Sequence, residues 1–273
     1  MAKEDKLMLP IKYYGGKSGM LKFLLPLFPK NYKVFVDGFG GSASVLLAEE
    51  RPKIIEVYND LGDNVYSLYK CIQDGELYSQ MQEKLQMLPY HERIRAEFRD
   101  DLKRTDLSLL ERAYKFLYVN RTSFNGVGGF SAGILKDRNF AKGVSAYLSA
   151  IDGLEKMHKR LATVIMEHKD IFAILDRYDE PDTFFYLDPP YVHSTRVSST
   201  RYEVEMENEE HERFIDRLLG MKARWMVSGY DHPIYERLTA NSNRYEYVSP
   251  LSRSNKVEVV WTNYPKEECR EEI

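Results

Sequence analysis

A short apolar run, Val34-Phe35-Val36-Asp37, stops at Gly38-Phe39-Gly40-Gly41, and a second β-branched run, Ile54 to Tyr58, follows within one helix length. Between them Ser42 to Glu50 has helical spacing, with Ser42 and Ser44 as available caps. Strand, glycine turn, helix and strand make a βαβ unit, which requires two parallel strands in one sheet. That requirement restricts the chain to the α/β class.

The alternation returns after residue 142. Ser145 to Leu161 reads as one helix and Asn208 to Leu219 as another. Strand candidates stand at Thr163 to Met166, Thr183 to Leu187, Arg224 to Ser228, Tyr245 to Val248 and Val257 to Thr262. Runs this short and apolar, flanked by helices, suit a sheet buried on both faces. Lys266 to Ile273 reads as a charged tail, and Lys17 to Phe28 as a helix ended near Pro29.

The middle of the chain differs. Val65 to Cys71, Glu76 to Met87, His91 to Leu102 and Leu107 to Val119 read as helices, followed by a glycine-rich segment from Asn125 to Gly133 that reads as hairpin or loop. We therefore expect one domain from residues 1–64 and 142–273, with 65–141 inserted as a second, mainly helical domain. Charge supports the division. The chain carries −3, yet Arg93 to Lys142 holds eleven Lys/Arg against six Asp/Glu, or +5 locally, leaving −8 for the rest. A basic region on an acidic body can form a phosphate footprint, although a solvated helix face has the same composition.

Composition excludes several classes. With 43% hydrophobic and 30% charged residues the chain is globular rather than disordered. No run of 18 apolar residues suits a membrane span, and the N-terminus has no secretory pattern. The two cysteines, Cys71 and Cys269, form no CxxC pair, so neither a disulfide scaffold nor a cysteine-rich zinc site is expected, and the reducing cytoplasm is the default location.

The chemistry concentrates in Phe184-Phe185-Tyr186-Leu187-Asp188-Pro189-Pro190-Tyr191. An apolar strand delivers a carboxylate, then two prolines that lack backbone donors, then an aromatic ring. The carboxyl end of a strand in such a sheet is where ligands bind. Asp188 and the Pro189 carbonyl suit both N–H bonds of an exocyclic amine such as adenine N6. Gripping both would localise the nitrogen lone pair, and the carboxylate would stabilise the positive charge of methyl attack. The Tyr191 ring suits base stacking, and a duplex base must be flipped to reach it.

Asp37-Gly38-Phe39-Gly40-Gly41-Ser42-Ala43, with Asp60 placed 23 residues after Asp37, also fits a dinucleotide fingerprint, so a nicotinamide-dependent oxidoreductase is a rival reading. Asp37 opposes a pyrophosphate, whereas S-adenosylmethionine has no phosphate, carries an ammonium and a sulfonium that favour carboxylates, and has a ribose diol for Asp60. Gly15-Gly16-Lys17 precedes the first strand and is no phosphate loop.

Lys12-Tyr13-Tyr14-Gly15-Gly16-Lys17, Asp37 to Ser44, Tyr58-Asn59-Asp60, Asn120-Arg121 with Phe124-Asn125-Gly126, and Asp188-Pro189-Pro190-Tyr191 occur in the order seen in the Dam-like (D12 class) DNA adenine-N6 methyltransferases. The chain resembles that family from about residue 10 to 264. The resemblance implies a Rossmann-like class I methyltransferase sheet with an inserted DNA-recognition domain, S-adenosylmethionine as cofactor and no metal. It places Tyr13, Lys17, Asp37, Phe39, Gly41, Asp60 and Asp188 at the cofactor, with Lys17 on the methionine carboxylate and Asp170-Ile171 holding the cofactor adenine. Asp188, Pro189, Pro190 and Tyr191 would be catalytic. Lys12, Arg121, Asn125 and Gly126 would face DNA, and Arg196 and Arg201, in a hydroxyl-rich stretch after the catalytic motif, would contact phosphates. The implied partners are double-stranded DNA and, where the enzyme is restriction-linked, a cognate endonuclease, with the chain a monomer or weak dimer in a bacterial or phage-infected cytoplasm.

Two departures stand out. Ala43 replaces the last glycine of the usual Phe-x-Gly-x-Gly, and Gly126 to Phe140 does not match the hairpin that reads GATC in the enterobacterial enzymes. The pocket chemistry would equally serve an RNA adenine, and a silent nucleic-acid-binding module is a further alternative. Tyr66, Tyr69, Tyr114 and Tyr118 fall at helical spacing and read as core, His211 and His232 read as solvated, and Ser228-Gly229-Tyr230-Asp231 ends a strand on the same sheet edge as Asp188.

Overall fold

The computed structural model describes residues 9–13, 15–49, 53–133, 135–137, 140–192, 203–248 and 257–270. They form two compact units. One contains residues 62–164 with 41–47 and the segment up to Gly16; the other contains 17–40, 48–61 and the chain from 165 onward.

The second unit is built on a seven-stranded sheet. Its strands are β1 (Val34–Asp37), β2 (Ile55–Asn59), β3 (Ile165–Glu167), β4 (Thr183–Leu187), β5 (Arg224–Tyr230), β6 (Asn243–Val248) and β7 (Val257–Thr262). Their order is β3-β2-β1-β4-β5-β7-β6. The first five are parallel, and β7 runs antiparallel to both β5 and β6. The sheet is therefore α/β and mixed, as in class I methyltransferases. The reversal has a simple cause: eight residues separate β6 from β7, too few for the crossover that parallel neighbours need.

All five residues of β4 are buried, which explains why Thr-Phe-Phe-Tyr-Leu reads as a continuous apolar run. On one face Val36, Phe185, Leu187 and Trp225 pack with Ile171, Phe172, Phe214 and Leu218 from the helices Ile171–Tyr178 and Asn208–Leu219. Phe35 and Phe184 join Phe28 and Tyr32 in an aromatic cluster, with ring centroids 4.7–6.3 Å apart. Period-two alternation along β1 and β4 divides the two sets.

Two segments differ from the sequence expectation. The expected charged tail is docked as far as Arg270: Cys269 bridges to Pro29, and the Arg270 guanidinium pairs with the buried Glu49 at 2.7 Å and lies over the Phe28 ring. His211 is fully buried rather than solvated, its Nδ1 2.9 Å from the Tyr235 hydroxyl. It sits on the apolar face of its helix with Phe214, Ile215 and Leu218, a position that helical periodicity reveals.

The other unit is helical. Leu109–Thr122 packs against Asp63–Gln73, Gly75–Met87, Glu92–Asp101 and Lys142–Asp152. Ser108 and Glu111 close a capping box at its start. Tyr69 and Tyr118 are buried in this core, and Tyr66 and Tyr114 half-buried. The single helix read over Ser145 to Leu161 is two, parted at Gly153. The longest stretch of this compact unit runs from Gly62 to Val164.

Candidate active site

Parallel register aligns the strand ends. Asp37 pairs with Tyr58 and Tyr186, so Asp188 lies just past it on the neighbouring strand. The turn after β1 is tightly covered. A Cβ on Gly38 would stand 2.6 Å from Leu187 Cδ2 and 3.0 Å from Ile171 Cδ1, and one on Gly40 would overlap the Tyr58 ring. These glycines answer a packing need. Asn59 Nδ2 donates to the Gly38 carbonyl (3.0 Å) and the Lys169 carbonyl (3.1 Å), tying the loops after β1, β2 and β3 together.

The predicted cofactor residues of this unit fall along that end of the sheet. Asp37 is buried. Asp60 follows β2, with its carbonyl oxygen 2.9 Å from His168 Nδ1. Asp170 caps the helix Ile171–Tyr178 by accepting from the Phe172 amide at 2.9 Å. Phe39 meets Phe214 edge-on at 5.8 Å.

Lys17 lies in a one-turn 3₁₀ segment, and its side chain is only 3% exposed. Its Nζ is 2.7 Å from Asp188 Oδ1, 2.8 Å from Oδ2 and 2.7 Å from the Tyr191 hydroxyl, with Glu258 Oε2 at 3.6 Å. Burial works against the ammonium, but Asp188 foremost, then Tyr191, Tyr186 and Glu258, hold its pKa well above the ordinary lysine value. Asp188 Oδ1 also accepts from the buried Ser228 hydroxyl at 2.8 Å, and Ser228 Oγ lies 2.8 Å from the Tyr186 hydroxyl. Asp188 is thus oriented by two partners while 18% of its side chain stays exposed. Tyr191 is 7% exposed, its ring 4.5 Å from that of Tyr230 and 5.0 Å from Lys17 Nζ.

The remaining predicted residues belong to the helical unit. The Asn120 side chain brackets the Lys12 backbone, accepting from its N–H at 2.9 Å and donating to its carbonyl at 2.7 Å. Asn125 and Gly126 both have positive φ (51° and 83°), and a Cβ on Gly126 would stand 2.5 Å from the Lys12 carbonyl oxygen, so glycine is required there. Arg121 is 7% exposed and donates to the carbonyls of Leu9 and Pro10; burial lowers its pKa to about 10. Lys12 is exposed, and partial burial, then Arg121 and Lys142, lower its pKa. Gly41 has φ +49° with the Tyr13 ring against it, and Ala43 takes φ +54° without being glycine. Arg196 and Arg201 lie outside the described residues.

Four residues were missed. Asn59 and Asn120 lie inside quoted motifs, but nothing in their spacing shows that they tie backbones. Arg95, whose Nε donates to Ser123 Oγ at 2.8 Å and whose guanidinium also reaches the Gly128 carbonyl, fixes the glycine-rich turn from a distant helix. Glu258 sits in a strand, Val257–Thr262, that reads as a short apolar run, so its one acid carries no signal of a site.

The model of the D12 class N6 adenine-specific DNA methyltransferases matches residues 13–259. The chain belongs to that class. The D12 class is that of adenine-specific DNA methyltransferases, which sets aside the oxidoreductase reading. A type II methyltransferase, M1.LlaDCHI of Lactococcus lactis subsp. cremoris, is 24% identical over 93% of this chain and 94% of its own. Another, M.MjaIII of Methanocaldococcus jannaschii, is 25% identical over 88% and 90%. The modification methylase StsI of Streptococcus sanguinis is 27% identical over 68% of this D12 enzyme and 29% of its own length. Among the described residues no helix is long and apolar enough to cross a membrane.

Proposed function

We propose that this methyltransferase takes its methyl group from S-adenosylmethionine and delivers it, by direct displacement, to N6 of an adenine turned out of duplex DNA. The observation that carries the reading is the Lys17–Asp188–Tyr191 cluster at the carboxyl end of the sheet, with Asp188 held by Ser228 and still partly open. The donor set fits the cofactor: Asp37, Asp188 and Glu258 outnumber the one buried ammonium, which suits a cationic ligand and repels a pyrophosphate. Bound S-adenosylmethionine supplies a methyl made electrophilic by its sulfonium. Lys17 would hold the cofactor carboxylate, Asp60 the ribose diol, and Asp170 with Ile171 the adenine. Asp188 and the Pro189 carbonyl would accept the two N–H bonds of the target amine, and Asp188 would stabilise the charge that develops on nitrogen. Tyr191 would keep Lys17 in place through its hydroxyl and border the target base with its ring.

In the helical unit Lys12 and Lys142 are exposed cations, with burial first, then Arg121 and Lys142, lowering the Lys12 pKa; the pair makes a natural phosphate contact. Arg121 would act by anchoring the segment that carries Lys12. Phe124, 64% exposed beside the left-handed Asn125 and Gly126, is placed to meet bases. The names of the relatives point to a restriction-modification setting, and we propose the same for this chain, in the cytoplasm, as a monomer or weak dimer.

The test is incubation with methyl-labelled S-adenosylmethionine and unmethylated DNA or RNA, followed by mapping of N6-methyladenine. Label in DNA at a fixed short sequence is expected. Label confined to RNA would overturn the substrate, and absence of cofactor binding would overturn the donor.

A further inference from the structure

We infer that Glu258 makes the cofactor site selective for charge: sharing one buried ammonium with Asp188, it leaves a negative excess that favours a net-cationic cofactor over the neutral product left after methyl transfer. The inference rests on the S-adenosylmethionine reading above.

Three observations support it. Glu258 lies on β7, directly across from Tyr230 of β5 and Tyr247 of β6, so the sheet carries its side chain to the same end as Asp188. Its Oε2 is 3.6 Å from Lys17 Nζ, outside hydrogen-bond distance, while Lys17 is committed to Asp188 and Tyr191 at 2.7 Å. That buried oxygen has no hydrogen-bond partner among the described residues. A buried carboxylate oxygen left unbonded is costly. A residue needed only for strand pairing would use its backbone, and a glutamate would be a poor choice for it. The feature makes sense if positive charge arrives with a ligand.

The groups facing Glu258 are Lys17 from the 3₁₀ turn, Asp188 from the segment after β4, and the cross-strand Tyr230 and Tyr247, with Tyr191 reaching it only through Lys17 and Tyr230. Burial first, with Asp188 adding to it and Lys17 opposing, raises the Glu258 pKa above the ordinary glutamate value. A cationic ligand would pull the group back to its ionised form, so binding would release protons and strengthen as pH rises. S-adenosylmethionine carries one more positive charge than S-adenosylhomocysteine, the thioether that remains when the carbon–sulfur bond has broken, so the neutral product would not show this linkage.

Titration calorimetry of the full chain with each of these two compounds, at pH 4.5 and 7.5, tests the inference. Wild type should bind S-adenosylmethionine more tightly at the higher pH, with proton release, and S-adenosylhomocysteine about equally at both. Glu258→Gln should weaken S-adenosylmethionine about tenfold, leave S-adenosylhomocysteine within about twofold and abolish the pH dependence; Glu258→Asp should restore part of the preference. An equal loss for both ligands would mark a structural role and overturn the inference, as would an unchanged ratio. The wild-type pH comparison stands even if a variant fails to fold, and a flat profile there also overturns it. Failure of wild type to bind either compound would overturn the cofactor reading itself, an outcome separate from binding without discrimination.

Discussion

Replacing Asp188 with alanine should damage the fold as well as the chemistry, and the two losses can be separated. The Lys17 side chain is 3% exposed and loses its nearest counter-charge, at 2.7 Å, while the buried Ser228 hydroxyl loses its acceptor. Stranding one member of a buried ion pair costs about 3–5 kcal/mol. Tyr191 and Glu258 remain beside Lys17 and offset part of it, so a value near ~3 kcal/mol is expected, an apparent melting decrease of roughly 6–12 °C for a chain of this size. Removing the stranded charge as well, in Lys17→Met with Asp188→Ala, should recover at least ~2 kcal/mol of that loss, because the desolvation cost disappears with the ammonium. Methyl transfer should fall by about 10²-fold or more in both variants, since neither stabilises charge on the amine. DNA affinity should stay close to wild type. Thermal unfolding by circular dichroism, labelled-methyl incorporation and fluorescence anisotropy with duplex DNA give the three readouts. If Asp188→Ala melts with wild type, or if the double variant is no more stable than the single, the buried-pair reasoning is wrong.

Three further outcomes follow from other parts of the molecule. Lys12→Ala and Lys142→Ala should each weaken duplex binding at all sequences and reduce the slope of log affinity against log salt by about 1; unchanged slopes in both would remove the phosphate role. Arg121→Met should lower stability by about 2 kcal/mol through the orphaned carbonyls of Leu9 and Pro10, and proteolysis should cut the N-terminal segment faster; an unaltered cleavage rate would contradict the anchoring role. Asp179 accepts from the amides of Lys222 (2.8 Å) and Ala223 (2.9 Å) and from Arg217 (3.1 Å), and although burial opposes it, these bonds depress its pKa below the ordinary 3.8. Its stabilisation is therefore complete above pH 3.8 and lost as pH falls through the lower folded value. Asp179→Asn should destabilise at pH 7 and converge on wild type in strong acid, as read by urea melts across that range; a constant difference would refute the linkage.

Much of the fold was legible in the sequence because the sheet is buried on both faces. Each central strand must then be a short apolar run, and Val34–Asp37, Thr183–Leu187 and Val257–Thr262 stand where such runs do. Strand direction was less visible. The antiparallel β7 depends on which neighbours pair, and only the short link from β6 betrays it. The motif acids were legible for a similar reason: residues that end parallel strands are brought to one edge by register alone, as Asp37 and Asp188 are. His211 and the docked Cys269–Arg270 segment were misread because their burial depends on partners far away in sequence, Tyr235 and Glu49.

The sequence by itself determined the α/β class, the acids at the strand ends and the family pattern that joins them, since these follow from local apolar periodicity and from residues in fixed order. Only the tertiary structure decided which charges share a space. Lys17 and Asp188 are 171 positions apart and meet at hydrogen-bond distance, and Glu258 joins them from another strand. Electrostatic energy depends on separation and burial, and neither is a property of position along the chain. Arg121 teaches the same lesson in reverse: in sequence it is a cation in a basic region, and in the fold its charge is buried against two carbonyls and holds the protein's own backbone.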